Sequence, residues 1–295
     1  MTLYKYVVPE RIDVLKNSQI RFTQSMGLND PFDLRPLFDS FLSKDDIIAG
    51  WIRAENLEYL IQDALAAYPH LRAGIREHLK AEELATYIGA RLGTDKGREE
   101  IWQLIEPLWE YTVAPPAAIK AEFQKVFSGA GILSMSEVAD DLDMWTAYGG
   151  NHRGFVICFN EKHAFFQGRF RRGLFRVDQV KYVDRAPYPS VFKVPEQELF
   201  FTKRAEWAYE REWRMIAGIS LADQVITGDH EPIHLFNLPS DCVEGLVLGA
   251  SASEQLVAEV RALIRDDARY RLLSLRRARI SGQKAEFEDV VMNGD

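Results

Sequence analysis

The sequence predicts an α+β fold, a mixed and mainly antiparallel sheet core that carries an inserted helical subdomain. Three observations predict it. Period-two runs open and close the chain, helical periodicity fills residues 37–128, and no repeat, low-complexity tract or long linker separates two halves. The expectation is one domain over residues 1–295, with 37–128 inserted into it.

Leu3 to Val8 reads as a first strand, with Tyr4 and Tyr6 on one side and Lys5 on the other, stopped by Pro9. Ile12 and Leu15 stand at helical spacing. Gln19 to Thr23 then alternates as a second strand. Asn29-Asp30-Pro31-Phe32-Asp33 is a structured turn, because short polar side chains bond their own backbone and Pro31 pushes Asp30 out of the helical region. In the insertion, Ser43 and Asp46 resemble a capping box before the stripe Ile47, Trp51, Ile61, Leu65. A second stripe closes near Gly93, a third helix starts at Thr94 or Asp95, and Pro115-Pro116 opens a fourth.

After Gly131 extended segments return at Ile132–Ser136, Gly154–Phe159 and Phe175–Val183. Between the first two, Asp141 to Asn160 combines a short helix bearing Trp145 and Tyr148, a Gly149-Gly150 stop, a turn of Asn151, His152 and Arg153, and an apolar strand. Pro195 to Trp213 reads as helix, which sets Lys203, Trp207 and Glu210 near one face. Glu212 to Ala217 reads as a strand with Glu212, Arg214 and Ile216 on one face. Late strands at Ile233–Leu238, Val243–Leu248 and Arg271–Ala278 surround a helix with Leu256, Val260 and Ile264.

With 47% hydrophobic and 27% charged residues, the composition is that of a globular protein. No leader-like start and no apolar run of spanning length is present, so the expected location is cytoplasmic, without membrane contact. Cys158 and Cys242 form no ligand spacing or disulfide framework. The net charge of −8 disfavours non-specific nucleic-acid binding, without deciding whether a specific nucleic acid is a partner, and the arginine clusters at 169–176 and 276–279 read as solvated faces.

Most chemical motifs fail on context. Gly129-Ala130-Gly131 follows a helix instead of a strand, no nucleophile elbow exists, and Pro232 breaks the helix that would unite His230 and His234, which read as two surface loop histidines. No metal site is expected. Asp140, Asp141 and Asp143 supply acids for metal-assisted phosphodiester chemistry, but more simply cap the helix at Met144. The candidates that remain are Glu210, Glu212 and His152 as catalytic groups. A satisfied turn residue is the competing account of His152, and a solvated helix face that of Glu210. Glu212-Trp213-Arg214 is harder to dismiss, because a charged pair entering an apolar strand must find a partner or stay at its mouth.

The motifs LYKY at Leu3–Tyr6, NDPFD at Asn29–Asp33, SMS at Ser134–Ser136, MWTAYGGNHRGFVICF at Met144–Phe159 and KRAEWAYEREWR at Lys203–Arg214 resemble the bacterial domain-of-unknown-function family twenty-nine seventy-one. Members of that family occur near phage-defence and mobile genes, which implies a toxin-like or defence role. A looser resemblance is to ADP-ribosyltransferase-like folds. It implies NAD as substrate, with Lys5, Tyr6, Ser134, Ser136, Trp145, Tyr148 and Arg214 contacting the nucleotide and Glu210 or Glu212 stabilising the charge that develops as nicotinamide leaves. Lys5 or Tyr6 stands where those folds carry Arg or His. The alternative is a non-catalytic module that holds a nucleotide or peptide in the same pocket and contacts a protein partner through the helical insertion.

Overall fold

The computed structural model describes residues 1–24, 38–40, 81–100, 102–103, 128–167, 176–184, 188–190, 195, 198, 200–228 and 231–291. The Asn29–Asp33 turn, the Ser43–Asp46 cap, the stripe from Ile47 to Leu65 and the helix expected from Pro115 lie outside them.

The chain divides into two compact units. One comprises Pro36–Lys125 and Ala186–Glu196. In it are the helix α2 (Ala81–Leu92) and a parallel pairing of two short strands, β3 (Phe38–Ser40) and β8 (Tyr188–Ser190). A helical stretch over 95–100 follows α2, and the Thr94 hydroxyl accepts the Gly97 N–H at its start, the cap that the sequence suggests.

The other unit comprises Met1–Arg35, Val126–Arg185 and Gln197–Asp295. It is built on a mixed, mainly antiparallel sheet, and the α+β reading holds. Its strands are β1 (Thr2–Val7), β2 (Gln19–Gln24), β4 (Ala130–Ser136), β5 (Phe155–Asn160), β6 (Arg176–Gln179), β10 (Glu212–Gly218), β11 (Gln224–Ile226), β12 (Ile233–Asn237), β13 (Val243–Leu248), β14 (Ser274–Ser281) and β15 (Lys284–Asp289). Its path runs β11-β12-β2-β4-β1-β5-β13-β14-β15, and β10 joins β4 to β6. Only β13 and β14 run parallel along that path, with helix α4 (Glu254–Asp266) as their crossover.

One irregularity positions everything that follows. β10 pairs with β4 along its length, from Glu212↔Ser136 to Gly218↔Ala130. The other edge of β4 is shared by two strands: β2 holds it at Thr23↔Ile132 and Gln24↔Gly131, and β1 holds it at Tyr4↔Ser136. The sheet therefore forks at Ser134.

Alternation along the strands gives the sheet two chemically different faces. On one face Leu133, Met135, Met215, Phe155 and Ile157 join the main apolar core, covered by α4 through Leu256, Val260 and Ile264 and by α1 (Asp13–Lys16) through Val14 and Leu15. The other face carries a smaller apolar cluster of Tyr6, Val156, Cys158 and Val247 under α3 (Leu142–Ala147). Asp141 caps α3 by accepting the Met144 N–H at 2.9 Å, and Gly150, at φ +59°, ends the segment in a left-handed turn. A Cβ on Gly154 would collide with the Val7 carbonyl, the close backbone approach expected of that glycine.

Three local expectations are corrected. The stretch read as a helix over 195–213 contains instead a strand, β9 (Thr202–Arg204), and a 3₁₀ turn over Ala205–Glu210, with β9 pairing parallel to β7 (Lys181–Val183). Its apolar and charged residues fit a helical period, but tertiary pairing with β7 overrides it. The stretch read as one strand over 175–183 is two, β6 and β7. His234 is not a loop histidine: it sits buried in β12 opposite Phe22, with its Nδ1 unpartnered. His230 lies outside the described residues.

Candidate ligand-binding site

At the fork the sheet opens into a cavity of about 220 Å³. β1 contributes Tyr4, Lys5 and Tyr6, and β2 contributes Thr23. β4 contributes Ile132, Ser134, Met135 and Ser136, and α3 contributes Met144 and, at its C-cap, Tyr148. The remaining wall is polar: Lys203, Glu210 and Glu212.

The acids form a connected network. Lys203, buried in β9, donates to Glu210 Oε2 at 2.6 Å and to Glu212 Oε2 at 3.2 Å. Arg214 is fully buried and grips Glu212 with two donors, Nε to Oε1 at 2.9 Å and Nη2 to Oε2 at 3.0 Å. Its Nη1 also donates to the Phe200 carbonyl at 2.9 Å. The Tyr148 hydroxyl donates to Glu210 Oε1 at 2.5 Å. Arg211, at φ +42°, turns the chain between Glu210, which ends the 3₁₀ turn, and Glu212, which starts β10. The Tyr182 hydroxyl accepts the Glu212 N–H at 2.8 Å and fixes that turn from outside.

The two carboxylates are pushed in opposite directions. Burial raises Glu212, but Arg214 and Lys203 overcome it and hold the carboxyl down at about 2. Burial also raises Glu210, Glu212 adds to the rise, and Lys203 offsets only part of it, so Glu210 stands above the ordinary carboxylate value. Lys5 is pulled down to about 8, first by desolvation.

The structure brings together Lys5, Tyr6, Ser134, Ser136, Tyr148, Glu210 and Glu212 from the residues that the sequence singles out. Besides the acid network, Tyr6 and Ser136 are engaged by backbone groups. The Tyr6 hydroxyl donates to the Val138 carbonyl at 3.0 Å, and the Ser136 hydroxyl donates to the Glu210 backbone carbonyl at 2.6 Å while accepting the Val138 N–H. Arg214 lies behind the wall as the support of Glu212. Trp145 and His152 are not among the lining residues. Trp145 is fully buried, donates its ring N–H to the Ala139 carbonyl at 2.7 Å and meets Tyr6 edge to face; the helical spacing that suggested two rings on one face turns Trp145 into the core and Tyr148 to the cavity. His152 lies in the turn at φ +63°, parallel to the Trp145 ring and near the Thr146 hydroxyl, with its Nδ1 buried and without a hydrogen-bond partner.

Sequence reasoning did not put Lys203 in the site, although a lysine after Phe200-Phe201-Thr202 at the edge of an apolar run was a signal of a buried cation seeking acids. Among the described residues no group of three or more His, Cys, Asp or Glu has a metal-binding arrangement, and no helix is long and apolar enough to cross a membrane.

Residues 144–215 match the family model described as a protein of unknown function, DUF2971. The matched segment is 144–215, less than half of the chain. It begins at the helix carrying Tyr148 and ends one residue after Arg214, so the acid network falls inside it, while Lys5, Tyr6, Ser134 and Ser136 precede it. The DUF2971 resemblance drawn from the motifs is thereby supported. No curated protein and no solved structure matches the chain.

Proposed function

We propose that the chain is an ADP-ribosyltransferase-like enzyme that uses NAD as substrate, as transferase or glycohydrolase. One observation carries the reading: three segments far apart in sequence, LYKY, LSMS and YEREWR, supply one cavity with aromatic hydroxyls, a serine, a lysine and two carboxylates of opposite character. At about 220 Å³ the cavity is smaller than the roughly 300–1,000 Å³ of pockets for drug-sized ligands, so it suits the reacting end of a dinucleotide and leaves the rest outside. Cleavage of the ribose–nicotinamide bond sends its electron pair to nicotinamide and leaves an oxocarbenium-like sugar. Glu212, ionised at neutral pH, is the negative group facing that charge, and Tyr148 and Glu210 orient the substrate hydroxyls. Attack by water or an acceptor nucleophile completes the reaction. A role as a toxin or phage-defence effector follows from the family resemblance.

The test is nicotinamide release from NAD together with a thermal shift. Millimolar NAD raises the Tm of the wild-type chain, and Glu212→Gln abolishes release while the chain stays folded. No shift and no release would remove the reading. Should Glu212→Gln not fold, Glu210→Gln serves, with release expected to fall at least about tenfold.

A second reading is favoured by a specific observation. Both oxygens of Glu212 and both of Glu210 already accept hydrogen bonds from the protein. A network so satisfied suits a non-catalytic module that binds a nucleotide. It predicts that Glu210→Gln changes affinity alone and that no nucleotide is turned over.

A further inference from the structure

The fork in the sheet gathers two cations and a backbone donor at one point. The Lys5 ammonium donates to the Ser134 carbonyl at 2.8 Å and enters no ion pair among the described residues. The cavity acids favour its charge from a distance but make their direct contacts elsewhere, Glu212 with Arg214 and Lys203 and Glu210 with Lys203 and Tyr148. Arg21 is the second such cation. It is half-buried, its Nε is buried without a hydrogen-bond partner, and it too enters no ion pair among the described residues. An unpartnered buried guanidinium nitrogen costs free energy, so its presence asks for a ligand.

Register brings the two cations to the same point. Continuing the pairing Thr23↔Ile132 by two residues sets Arg21 level with Ser134, where β2 has already left β4. Continuing Tyr4↔Ser136 by two residues sets Tyr6 level with Ser134 from the other side, with Lys5 in the wedge between. In a strand the N–H and C=O of one residue point the same way. The Ser134 carbonyl points into the fork, at Lys5, so its N–H points there as well, and the pairings of β1 and β2 with β4 stop short of it on both sides. Glu212 and Glu210 favour the Lys5 ammonium while Arg11 and Arg21 oppose it, so Arg21 lies within electrostatic reach of Lys5.

We propose that the fork at Ser134 is an anion subsite in which Lys5, Arg21 and the Ser134 N–H hold a phosphate-class group of the ligand. Arg21 supplies the planar fork of donors that phosphate oxygens accept, Lys5 a point charge, and Ser134 a backbone donor. Thr23, two residues from Arg21 on the same face of β2, lines the cavity, so a phosphate here adjoins the pocket that takes the rest of the molecule. The inference deepens the nucleotide reading and rests on it for the natural ligand's identity. The probe is therefore inorganic pyrophosphate, whose binding is read independently of any NAD turnover.

Calorimetric titration of the full chain with pyrophosphate, against chloride at matched ionic strength, tests it. The wild type binds pyrophosphate, and Arg21→Gln and Lys5→Met each weaken it by about tenfold, the loss expected for one charged hydrogen bond. Arg21→Gln removes no hydrogen bond or ion pair among the described residues, so the chain stays folded without ligand, and it carries the test if Lys5→Met does not fold. Equal affinity in wild type and Arg21→Gln overturns the proposal, as does failure of the wild type to bind. Retained pyrophosphate binding without nicotinamide release sinks the enzymatic reading alone, and release without pyrophosphate binding sinks the subsite alone.

Discussion

The two faces of the sheet around β4 and β10 are equally buried and chemically opposite. Leu133 and Met215 on one face are fully covered, and so are Ser136 and Arg214 on the other, with Glu212 4% exposed. On the apolar face burial is itself the favourable term, at roughly 25 cal/mol per Å². On the polar face burial is a cost, offset only because each charge has a partner: Arg214 for Glu212, Lys203 for both acids. A sheet needing only stability would carry apolar side chains on both faces. The difference is what the proposed ligand site on the fork side draws on.

Breaking one partnership on the polar face is expected to have the largest effect. Arg214→Ala strands the Glu212 carboxylate and is expected to cost about 3–5 kcal/mol in urea unfolding. Pairing it with Glu212→Leu should recover most of that loss, because the charge that was stranded is gone. A double variant no more stable than Arg214→Ala would show that the two residues do not act as a unit.

On the apolar face, Leu133→Ala is expected to cost about 3 kcal/mol through lost burial and the cavity left behind, with no second substitution on the polar face able to recover it. A loss below about 1 kcal/mol would mean that this face is less tightly packed than the contrast requires.

Acid sharpens the comparison between the two carboxylates. Glu212 is depressed to about 2, so its contribution is complete above about pH 4.5 and is lost as pH falls towards 2; Glu212→Gln should remove that part of the acid sensitivity. Glu210 is raised, so its contribution is complete below its unfolded value and is lost as pH rises through its folded one. Glu210→Gln should therefore flatten the decline above about pH 4.5, and urea midpoints across that range parallel to wild type would contradict the assignment.

The smallest effect is expected from Tyr148→Phe, which deletes one of two donors to Glu210 at a cost of about 1 kcal/mol and raises the Glu210 carboxyl further. The stability profiles of wild type and Tyr148→Phe should then part only where Glu210 titrates. Profiles offset equally at every pH would assign Tyr148 a packing role instead.

Much of the fold was legible from residues alone. Alternation located β1, β2, β10 and β13, a carboxylate before Met144 announced the α3 cap, and Leu256, Val260 and Ile264 announced α4. The site was legible in part: Glu212 and Arg214, two apart on a strand, share a face and satisfy each other as a buried pair must. The acids' hub was not. Helical spacing put Lys203 and Glu210 together for a reason that the structure does not bear out, since they meet through a strand and a 3₁₀ turn.

What the sequence by itself determined, then, is what local periodicity and side-chain chemistry can carry: which runs are strands, where α3 and α4 begin, and which charged residues enter an apolar strand. Only the tertiary structure decided that β1 and β2 share one edge of β4, because strand pairing depends on contacts between segments more than a hundred residues apart. That pairing opens the fork and leaves Lys5 and Thr23 lining a cavity that neither residue's neighbours in sequence reveal.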